Sequence, residues 1–221
     1  MMVGARLICI FVRSAFAAVV LALALSAATA SAATIMVYGD SLSAAYGLPL
    51  EQGWVSLLAR RLHAERFDYK VANASLSGET TGGGRDRIEA ALKMHRPALV
   101  IVELGANDGL RGASLETVRG NLEAIVDACR RANARVLLVG MRIPPNYGMP
   151  YAEKFQGIFG EVARSRKLPL VPFLLDGFAA QPSLFQADGI HPTAAAQPVM
   201  LDTVWKGLRP LLKGEGTGNR K

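Results

Sequence analysis

The chain has 221 residues, of which 51% are hydrophobic and 19% are charged, and this mixture excludes a disordered, collagenous or low-complexity protein. Its formal charge of +7 falls to +5 when Arg6 and Arg13, which lie in a predicted targeting segment, are discounted. Because the sequence has no basic run and no basic patch with interleaved aromatic residues, we expect no nucleic-acid partner, and the length predicts one globular domain.

Residues 1–32 are predicted to be a cleaved secretory signal peptide. Arg6 and Arg13 form a positive front, an apolar run follows at 16–25, and Ala30-Ser31-Ala32 is a small-residue cleavage site. The apolar run is shorter than the roughly 20 residues that a membrane-spanning helix needs. We therefore expect an exported protein with no stable membrane anchor after cleavage. The periplasm is the predicted location, with secretion as the alternative.

From residue 33 onward, short β-branched apolar runs alternate with longer amphipathic stretches, a pattern typical of a parallel sheet with crossover helices. The predicted strands are 34–38, 69–74, 98–104, 135–139 and 170–173, and the predicted helices are 53–66, 84–95, 115–132, 152–167 and 194–212. Residues 99–102 and 136–139 are apolar throughout, which predicts central strands covered on both faces. We expect a doubly wound, three-layer α/β/α sandwich over residues 33–213, followed by a disordered polar tail at 214–221.

A serine follows the first predicted strand, where the chain reads Gly39-Asp40-Ser41-Leu42-Ser43. Functional residues of parallel sheets concentrate at the carboxyl ends of the strands. This position puts Ser41 at a predicted strand-to-helix turn, with its backbone N–H at a helix start. Ser41 is a candidate nucleophile, and the competing interpretation is a helix N-cap.

Two more loops at predicted strand ends carry candidate hydrogen-bond donors. Gly78, after the second strand, lets a backbone N–H approach a ligand without an intervening side chain. Asn107, after the third strand in Gly105-Ala106-Asn107-Asp108, has a carboxamide that can donate to a negatively charged oxygen. Each loop alone is ordinary, and their combination predicts an oxyanion site.

Near the C-terminus, Asp188 precedes His191 by three residues. A carboxylate at this spacing can fold back to accept the Nδ1–H of the imidazole, which fixes the tautomer and leaves Nε2 free as a base. A serine nucleophile needs a base, an orienting carboxylate and an oxyanion site, and this chain has all three at strand-end loops. The conjunction predicts a serine hydrolase.

Four blocks of the sequence resemble the GDSL or SGNH hydrolases. They are Gly39-Asp40-Ser41-Leu42, Gly78, Gly105-x-Asn107-Asp108 and Asp188-x-x-His191, in the order of the family and spread over nearly the whole mature chain. Within the family, the segments around Ser41 and His191 are most similar to small periplasmic arylesterases, thioesterases and lysophospholipases. The resemblance implies the flavodoxin-like SGNH fold, with a central, mainly parallel five-stranded sheet. It also implies hydrolysis of aryl esters, acyl thioesters or lysophospholipids.

The same resemblance implies a role for each matched residue. Ser41 would be the nucleophile, His191 the general base and Asp188 its orienting partner. The oxyanion hole would consist of the N–H groups of Ser41 and Gly78 and the side chain of Asn107. Asp40 is interpreted as structural, because a second carboxylate beside the nucleophile would disfavour the alkoxide.

Substrate specificity is expected to depend on two loops that follow strands. Leu110 in the first loop and Ile143, Tyr147 and Met149 in the second are predicted to line an apolar acyl groove. The alternative is a surface loop whose apolar residues pack on their own domain. The expected partner is a small-molecule ester, and we expect a monomer or a weak homo-oligomer.

Three other functions remain open at this point. A carbohydrate O-acetylesterase would use the same catalytic residues with a shallow polar cleft. A flavodoxin-like binding protein would need a phosphate loop, for which the glycine-rich segment 80–85 is the only candidate, without the Lys-Ser/Thr of such loops. A non-catalytic adhesion or scaffold domain is the third.

No metal or cofactor is expected. His63, His95 and His191 lie in separate predicted elements and have no cysteine partner. Removal of the signal peptide takes Cys9 with it, so Cys129 is left without a partner for an intramolecular disulfide. Cys129 falls within a helical pattern and is interpreted as a small buried hydrophobe rather than a nucleophile.

Overall fold

The computed structural model describes residues 32–212. Residues 1–31 of the predicted signal peptide and the predicted tail at 214–221 therefore lie outside the described residues. Within residues 32–212, none of the helices combines the length and the apolarity needed to cross a membrane.

Five parallel strands form the central sheet: β1 (Ala33–Gly39), β2 (Tyr69–Asn73), β3 (Leu99–Glu103), β4 (Arg135–Val139) and β5 (Leu170–Val171). Their order across the sheet is β2-β1-β3-β4-β5, which confirms the predicted five-stranded parallel sheet. β3 is buried along its whole length, and only Arg135 of β4 is exposed, as the uniformly apolar runs predicted. The chain reverses its direction across the sheet between β1 and β3, and such switch points place ligands at the carboxyl ends of the strands.

Six α-helices lie within the described residues: α1 (Trp54–Ala64), α2 (Thr81–His95), α3 (Ala106–Leu110), α4 (Leu115–Arg131), α5 (Met149–Ser165) and α6 (Gln197–Leu208). α1 packs with α6 on one face of the sheet, and α2, α4 and α5 pack side by side on the other. The sequence did not predict α3, because five residues are too few to establish a 3.6-residue period. Short 3₁₀ helices cover Leu50–Gln52, Pro145–Tyr147, Pro182–Leu184, Ala194–Ala196 and Arg209–Leu211.

The glycine-rich segment 80–85 is the start of α2 and not a phosphate loop. The hydroxyl oxygen of Thr80 accepts the N–H of Gly83 at 3.2 Å, which caps the helix and offsets the poor helix propensity of glycine. Gly84 packs against the sheet so closely that a Cβ would lie 2.5 Å from Cδ1 of Leu104. Gly84 therefore lets the helix approach the sheet, and α2 begins three residues earlier than predicted.

The core lies between the sheet and both helical layers, and its largest fully buried side chains include Trp54, Phe155 and Phe159. Cys129 on α4 is fully buried among these apolar residues, and burial raises the pKa of its thiol to about 12. A thiol in this state is not a nucleophile near neutral pH, in agreement with its interpretation as a buried hydrophobe.

Candidate active site

The ends of β1 and β3 meet at the switch point of the sheet, where Gly39 lies opposite Glu103. A Cβ at Gly39 would lie 2.6 Å from Oε2 of Glu103 and 2.9 Å from Cβ of Ser43. Only glycine allows this close approach. The approach brings the segment after β1 against the end of β3, so the loops with Ser41 and Asn107 become neighbours.

Ser41 lies in a series of turns and not at a helix start. These turns extend from Ser41 to Gly47, and α1 begins only at Trp54, so the predicted strand-to-helix turn and the N-cap interpretation are both wrong. The carboxylate of Asp40 accepts the N–H of Leu42 at 3.0 Å, and its carbonyl accepts the N–H of Ala44 at 2.9 Å. Asp40 thus forms a turn with its own side chain, and this turn presents the hydroxyl of Ser41.

Ser41, His191 and Asp188 form a connected row of hydrogen bonds. Nε2 of His191 lies 2.9 Å from Oγ of Ser41, across 150 residues of sequence, and Nδ1 lies 2.7 Å from Oδ2 of Asp188. Oδ1 of Asp188 accepts the backbone N–H groups of Ile190 and His191 at 2.9 and 3.0 Å. The hydrogen bonds from the backbone and side chain of His191, together with that from Ile190, lower the pKa of Asp188 to about 2. Asp188 is therefore ionised at neutral pH.

Tyr46 and Gln186 hold the loop of His191 against the turn of Ser41. The rings of Tyr46 and His191 pack with their centroids 4.3 Å apart. Nε2 of Gln186 donates to the carbonyl oxygens of Tyr46 and Pro192 at 2.9 and 3.1 Å, and its backbone N–H donates to the carbonyl of His191 at 2.7 Å. Sequence reasoning missed both residues, because no local pattern indicates a contact across 140 residues.

The backbone donors that lack an acceptor among the described residues include the two that were predicted for the oxyanion hole. These two are the N–H groups of Ser41 and Gly78. Gly78 has a φ of +80°, a conformation that favours glycine, and the space where a Cβ would stand is open. The loop of Gly78 is attached to β1, because the N–H of Leu76 donates to the carbonyl of Gly39 at 3.1 Å. An unpaired N–H at an exposed position can donate to a ligand.

Asn107, the second residue of α3, has its amide directed at the same loops. Nδ2 donates to the carbonyl of Glu79 at 2.9 Å and to Oδ2 of Asp40 at 3.2 Å. The bond to Glu79 fixes the orientation of the amide. The other N–H of the amide donates to Asp40, so an oxyanion that binds to Asn107 must compete with Asp40 for this N–H.

Arg87 and Asp108 hold the loops that carry Gly78 and Asn107, and the sequence indicated neither role. Arg87 forms an ion pair with Glu79 and donates from Nη1 to the carbonyl of Ala74 at 2.8 Å. Asp108 accepts the N–H and the hydroxyl of Thr81 at 2.8 and 2.6 Å, which joins α3 to the start of α2. Asp108 is part of the Gly105-x-Asn107-Asp108 motif, which does not indicate this role, and Arg87 lies nearly two turns into α2 without a local signal.

Asp40 and Glu103 form a buried pair of carboxyl groups under the turn of Ser41. Their exposed fractions are 1% and 0%. Burial raises the pKa of Asp40 to about 6, and burial together with the nearby charge of Asp40 raises the pKa of Glu103 well above its usual value. Oε2 of Glu103 accepts the hydroxyl of Ser43 at 2.7 Å, while Oε1 has no hydrogen-bond partner in the described part of the chain. Both effects favour the neutral form of Glu103 over the ionised form.

Replacing Glu103 by glutamine is expected to weaken the pH dependence of stability. As the pH rises above the ordinary carboxyl pKa of 4.5, the unfolded chain releases the proton of Glu103 and the folded chain keeps it. The free energy of unfolding then falls by about 1.4 kcal/mol per pH unit until the pH exceeds the pKa in the folded state. Glutamine has no such proton, so Glu103→Gln should gain stability relative to the native protein between pH 5 and pH 7 in urea unfolding.

The exposed Glu153 supplies the control for this prediction, because Glu153→Gln neutralises a carboxylate that is not buried. Its stability should follow that of the native protein at both pH values. If Glu103→Gln and the native protein lost stability in parallel between pH 5 and pH 7, Glu103 would be ionised in the folded state and the interpretation of a neutral buried acid would be wrong.

An apolar groove of about 530 Å³ opens beside Ser41 and His191. Leu110 and Ile143, both predicted to line such a groove, are in its wall together with Met141, Phe173, Leu175 and Phe185. Tyr147 and Met149 do not line it, and this part of the prediction is corrected. The chain turns away after Pro144 through a 3₁₀ helix and Gly148, whose φ is +96°, and leaves Tyr147 and Met149 43% and 55% exposed.

The structure places the two other histidines, His63 and His95, on helices outside the site. His63 lies exposed near the end of α1, and His95 is the last residue of α2. Within residues 32–212, no group of three His, Cys, Asp or Glu side chains has an arrangement that could hold a metal ion.

Comparison with known proteins relates this site to ester hydrolases. The model of the GDSL-like Lipase/Acylhydrolase family matches residues 37–198. Esterase TesA of Pseudomonas aeruginosa is 50% identical over 192 residues, which are 87% of this chain and 96% of that protein. Thioesterase 1/protease 1/lysophospholipase L1 of Escherichia coli is 40% identical over 183 residues, which are 83% of this chain and 86% of that protein.

Solved structures agree with these relatives. A crystal structure of TesA superimposes with a TM-score of 0.79 and covers 81% of this chain and 99% of its own. The esterase EstA from Pseudoalteromonas, solved with inhibition by monoethylphosphonate, is 41% identical, with a TM-score of 0.77 over 80% of this chain and 97% of its own.

Proposed function

Because the chain belongs to the GDSL-like lipase/acylhydrolase family, we propose that its ester hydrolysis proceeds through an acyl-enzyme on Ser41, with His191 as the base and Asp188 as the group that orients it. The protein is a serine esterase that hydrolyses carboxylic esters and thioesters, which decides against the binding-protein and scaffold alternatives. The observation that supports these residue roles is the 2.9 Å approach of Nε2 of His191 to Oγ of Ser41. At this distance the imidazole can accept the hydroxyl proton directly.

In the first half of the reaction, Oγ of Ser41 attacks the carbonyl carbon while its proton passes to Nε2 of His191. The positive charge on the imidazole is balanced by Asp188, whose low pKa keeps it ionised. The carbonyl oxygen becomes an oxyanion, which accepts hydrogen bonds from the N–H groups of Ser41 and Gly78 and from the amide of Asn107. His191 then gives the proton to the departing alcohol or thiol, and the acyl group remains on Ser41.

In the second half, water attacks the acyl-enzyme and the same groups act again. His191 removes a proton from the water, the oxyanion forms at the same three donors, and the proton returns to Oγ of Ser41 as the acid leaves. Two of the donors are unpaired backbone N–H groups at fixed positions, so little reorganisation is needed when the charge develops.

The groove favours acyl chains of several carbons over acetyl groups. Its wall near Ser41 and His191 consists mainly of aliphatic and aromatic side chains, including Ile143 and Phe173. Burial of each additional CH₂ stabilises a bound chain by about 0.8 kcal/mol. A carbohydrate O-acetylesterase would instead need polar groups in a shallow cleft, so this alternative has less support.

We also propose that residues 1–32 direct export to the periplasm and are cleaved, which leaves residues 33–213 as the hydrolase domain, without a membrane anchor and as a monomer or weak homo-oligomer. The positive front and the small-residue cleavage site of the sequence support this proposal. N-terminal sequencing of the periplasmic fraction after expression of the full chain should find Ala33 first. A protein that keeps residue 1 and sediments with membranes would contradict it.

Labelling with a p-nitrophenyl alkylphosphonate tests the proposed nucleophile. The mature protein should bind one phosphonyl group, and peptide mass spectrometry should place it on Ser41, because among residues 32–212 only this hydroxyl lies within hydrogen-bond distance of an imidazole. Initial rates on p-nitrophenyl esters from acetyl to palmitoyl should give a kcat/KM that peaks at medium or long chains. The exposed Ser183 provides the control, since Ser183→Ala should label like the native protein.

A label on another residue would contradict the assignment of Ser41. A sharp preference for acetyl esters would favour the O-acetylesterase, and the proposed groove for longer acyl chains would then be wrong.

A further inference from the structure

Arg142 places a positive charge in the wall of the apolar groove. It follows β4 between Met141 and Ile143, which are both buried, and all three residues line the groove. Arg142 itself is exposed, and its guanidinium carbon lies 4.7 Å from the ring centroid of Phe173 in the same wall. The ring supports the guanidinium on one side and limits where its N–H groups can lie.

The guanidinium of Arg142 has no acidic partner within residues 32–212. Two other arginines of the described chain also pack over aromatic rings, and both form ion pairs. Arg61, over Trp205, pairs with Asp202 at 2.7 Å, and Arg87, over Tyr38, pairs with Glu79. Arg142 differs from them because its five N–H donors make no hydrogen bond to any of the residues that the structure describes.

The other charged groups of the groove do not neutralise Arg142. The groove is also lined by Asp40 and His191, which belong to the hydrogen-bonded site at Ser41. Asp40 is 1% exposed, and its carboxylate accepts from Leu42 and Asn107. The remaining lining residues are uncharged, so the groove presents an unpaired cation next to apolar surface. An anion bound there can accept charge-assisted hydrogen bonds from the guanidinium.

We propose that Arg142 binds an anionic group of the substrate, so that the enzyme prefers esters whose acyl chain is joined to a part carrying a phosphate or carboxylate. This inference rests on the proposed function, because it takes the acyl chain to lie in the groove beside Ser41. The planar guanidinium can donate two parallel N–H bonds to two oxygens of either anion. The apolar wall of the groove binds the acyl chain of the substrate, and Arg142 binds its anionic group.

Two matched pairs of esters test the proposal. The first pair is 1-octanoylglycerol and its 3-phosphate, and the second is phenyl octanoate and 4-(octanoyloxy)benzoate, all below their micelle concentrations. In the native protein, the ratio of kcat/KM for the anionic ester to that for the neutral ester should be about tenfold or more in at least one pair. The ratio should fall by a similar factor in Arg142→Gln and by less in Arg142→Lys. Added salt should lower it only while the arginine is present.

Arg60 provides the matched control, because it is exposed on α1 and does not line the groove. Arg60→Gln should keep the native ratio. A preference for the anionic ester in just one of the two pairs also supports the proposal, and it identifies the anion as phosphate or carboxylate. Hydrolysis with the same ratio in the native protein and in Arg142→Gln overturns the role of Arg142 alone. If no ester were hydrolysed and Ser41 remained unlabelled, the proposed function itself would be overturned.

Discussion

Ser41→Ala should lower kcat for ester hydrolysis by about six orders of magnitude, the scale observed when the nucleophile of a serine hydrolase is removed. Without Oγ there is no acyl-enzyme, and His191 has no hydroxyl to deprotonate. The remaining rate would come from water attacking a bound ester near the oxyanion donors. Active-site titration and steady-state rates on the best p-nitrophenyl ester measure the change.

The variant should remain folded, which makes the result specific to chemistry. Within the described chain, the hydroxyl of Ser41 makes a hydrogen bond only to His191, and the turn itself is formed by Asp40. Thermal unfolding should therefore change little. Because nucleophile and base act as a unit, Ser41→Ala combined with His191→Ala should be hardly slower than either single variant. A residual kcat above a hundredth of the native value would exclude Ser41 as the nucleophile.

Asp188→Asn should lower kcat by about four orders of magnitude while the loop keeps its conformation. Oδ1 of Asp188 accepts two backbone N–H groups, and asparagine can keep both bonds with its amide oxygen. The amide nitrogen then takes the place of Oδ2, which lies 2.7 Å from Nδ1 of His191. A donor at this position favours the tautomer with the proton on Nε2, and that nitrogen can no longer accept the proton of Ser41.

The native pH profile and a matched variant are the controls for this prediction. Asp188 has a pKa of about 2, so its charge is constant across the neutral range and the native profile should show no titration of this group above pH 4. Asp176→Asn, at another exposed aspartate, should have native kinetics. A near-native rate for Asp188→Asn would mean that another group orients His191.

The sequence was sufficient for the sheet, its connections and the strand-end positions of Ser41, Gly78 and Asn107. Residues 99–102 are buried on both faces of the sheet. A strand in this position must be apolar throughout, so the local pattern of residue types predicts it. The pairing of Asp188 with His191 also needs only one turn of backbone, so spacing alone predicted it. The sequence did not predict the short helix α3, because its five residues are too few to show a helical period of 3.6 residues.

The groove was predicted less well, because its walls depend on the direction of the chain after each strand. Ile143 and Tyr147 lie in one loop with similar apolar character, yet only Ile143 lines the groove. The 3₁₀ helix and the positive φ of Gly148 turn the rest of the loop outward. Composition does not indicate such a turn, since Pro and Gly mark a change of direction without giving its angle.

The sequence by itself determined the α/β class, the strand-end positions of Ser41, Gly78 and Asn107, and the local unit of Asp188 and His191, because each follows from periodicity or short spacing. Only the tertiary structure decided the contact between Ser41 and His191, the hydrogen bonds from Gln186 to the loop of His191, the raised pKa of Glu103 and the lack of an acidic partner for Arg142 within residues 32–212. These features depend on distances between segments far apart in the chain and on their separation from water. Both are properties of the packed molecule, because burial sets the cost of a charge and packing sets which partner it meets.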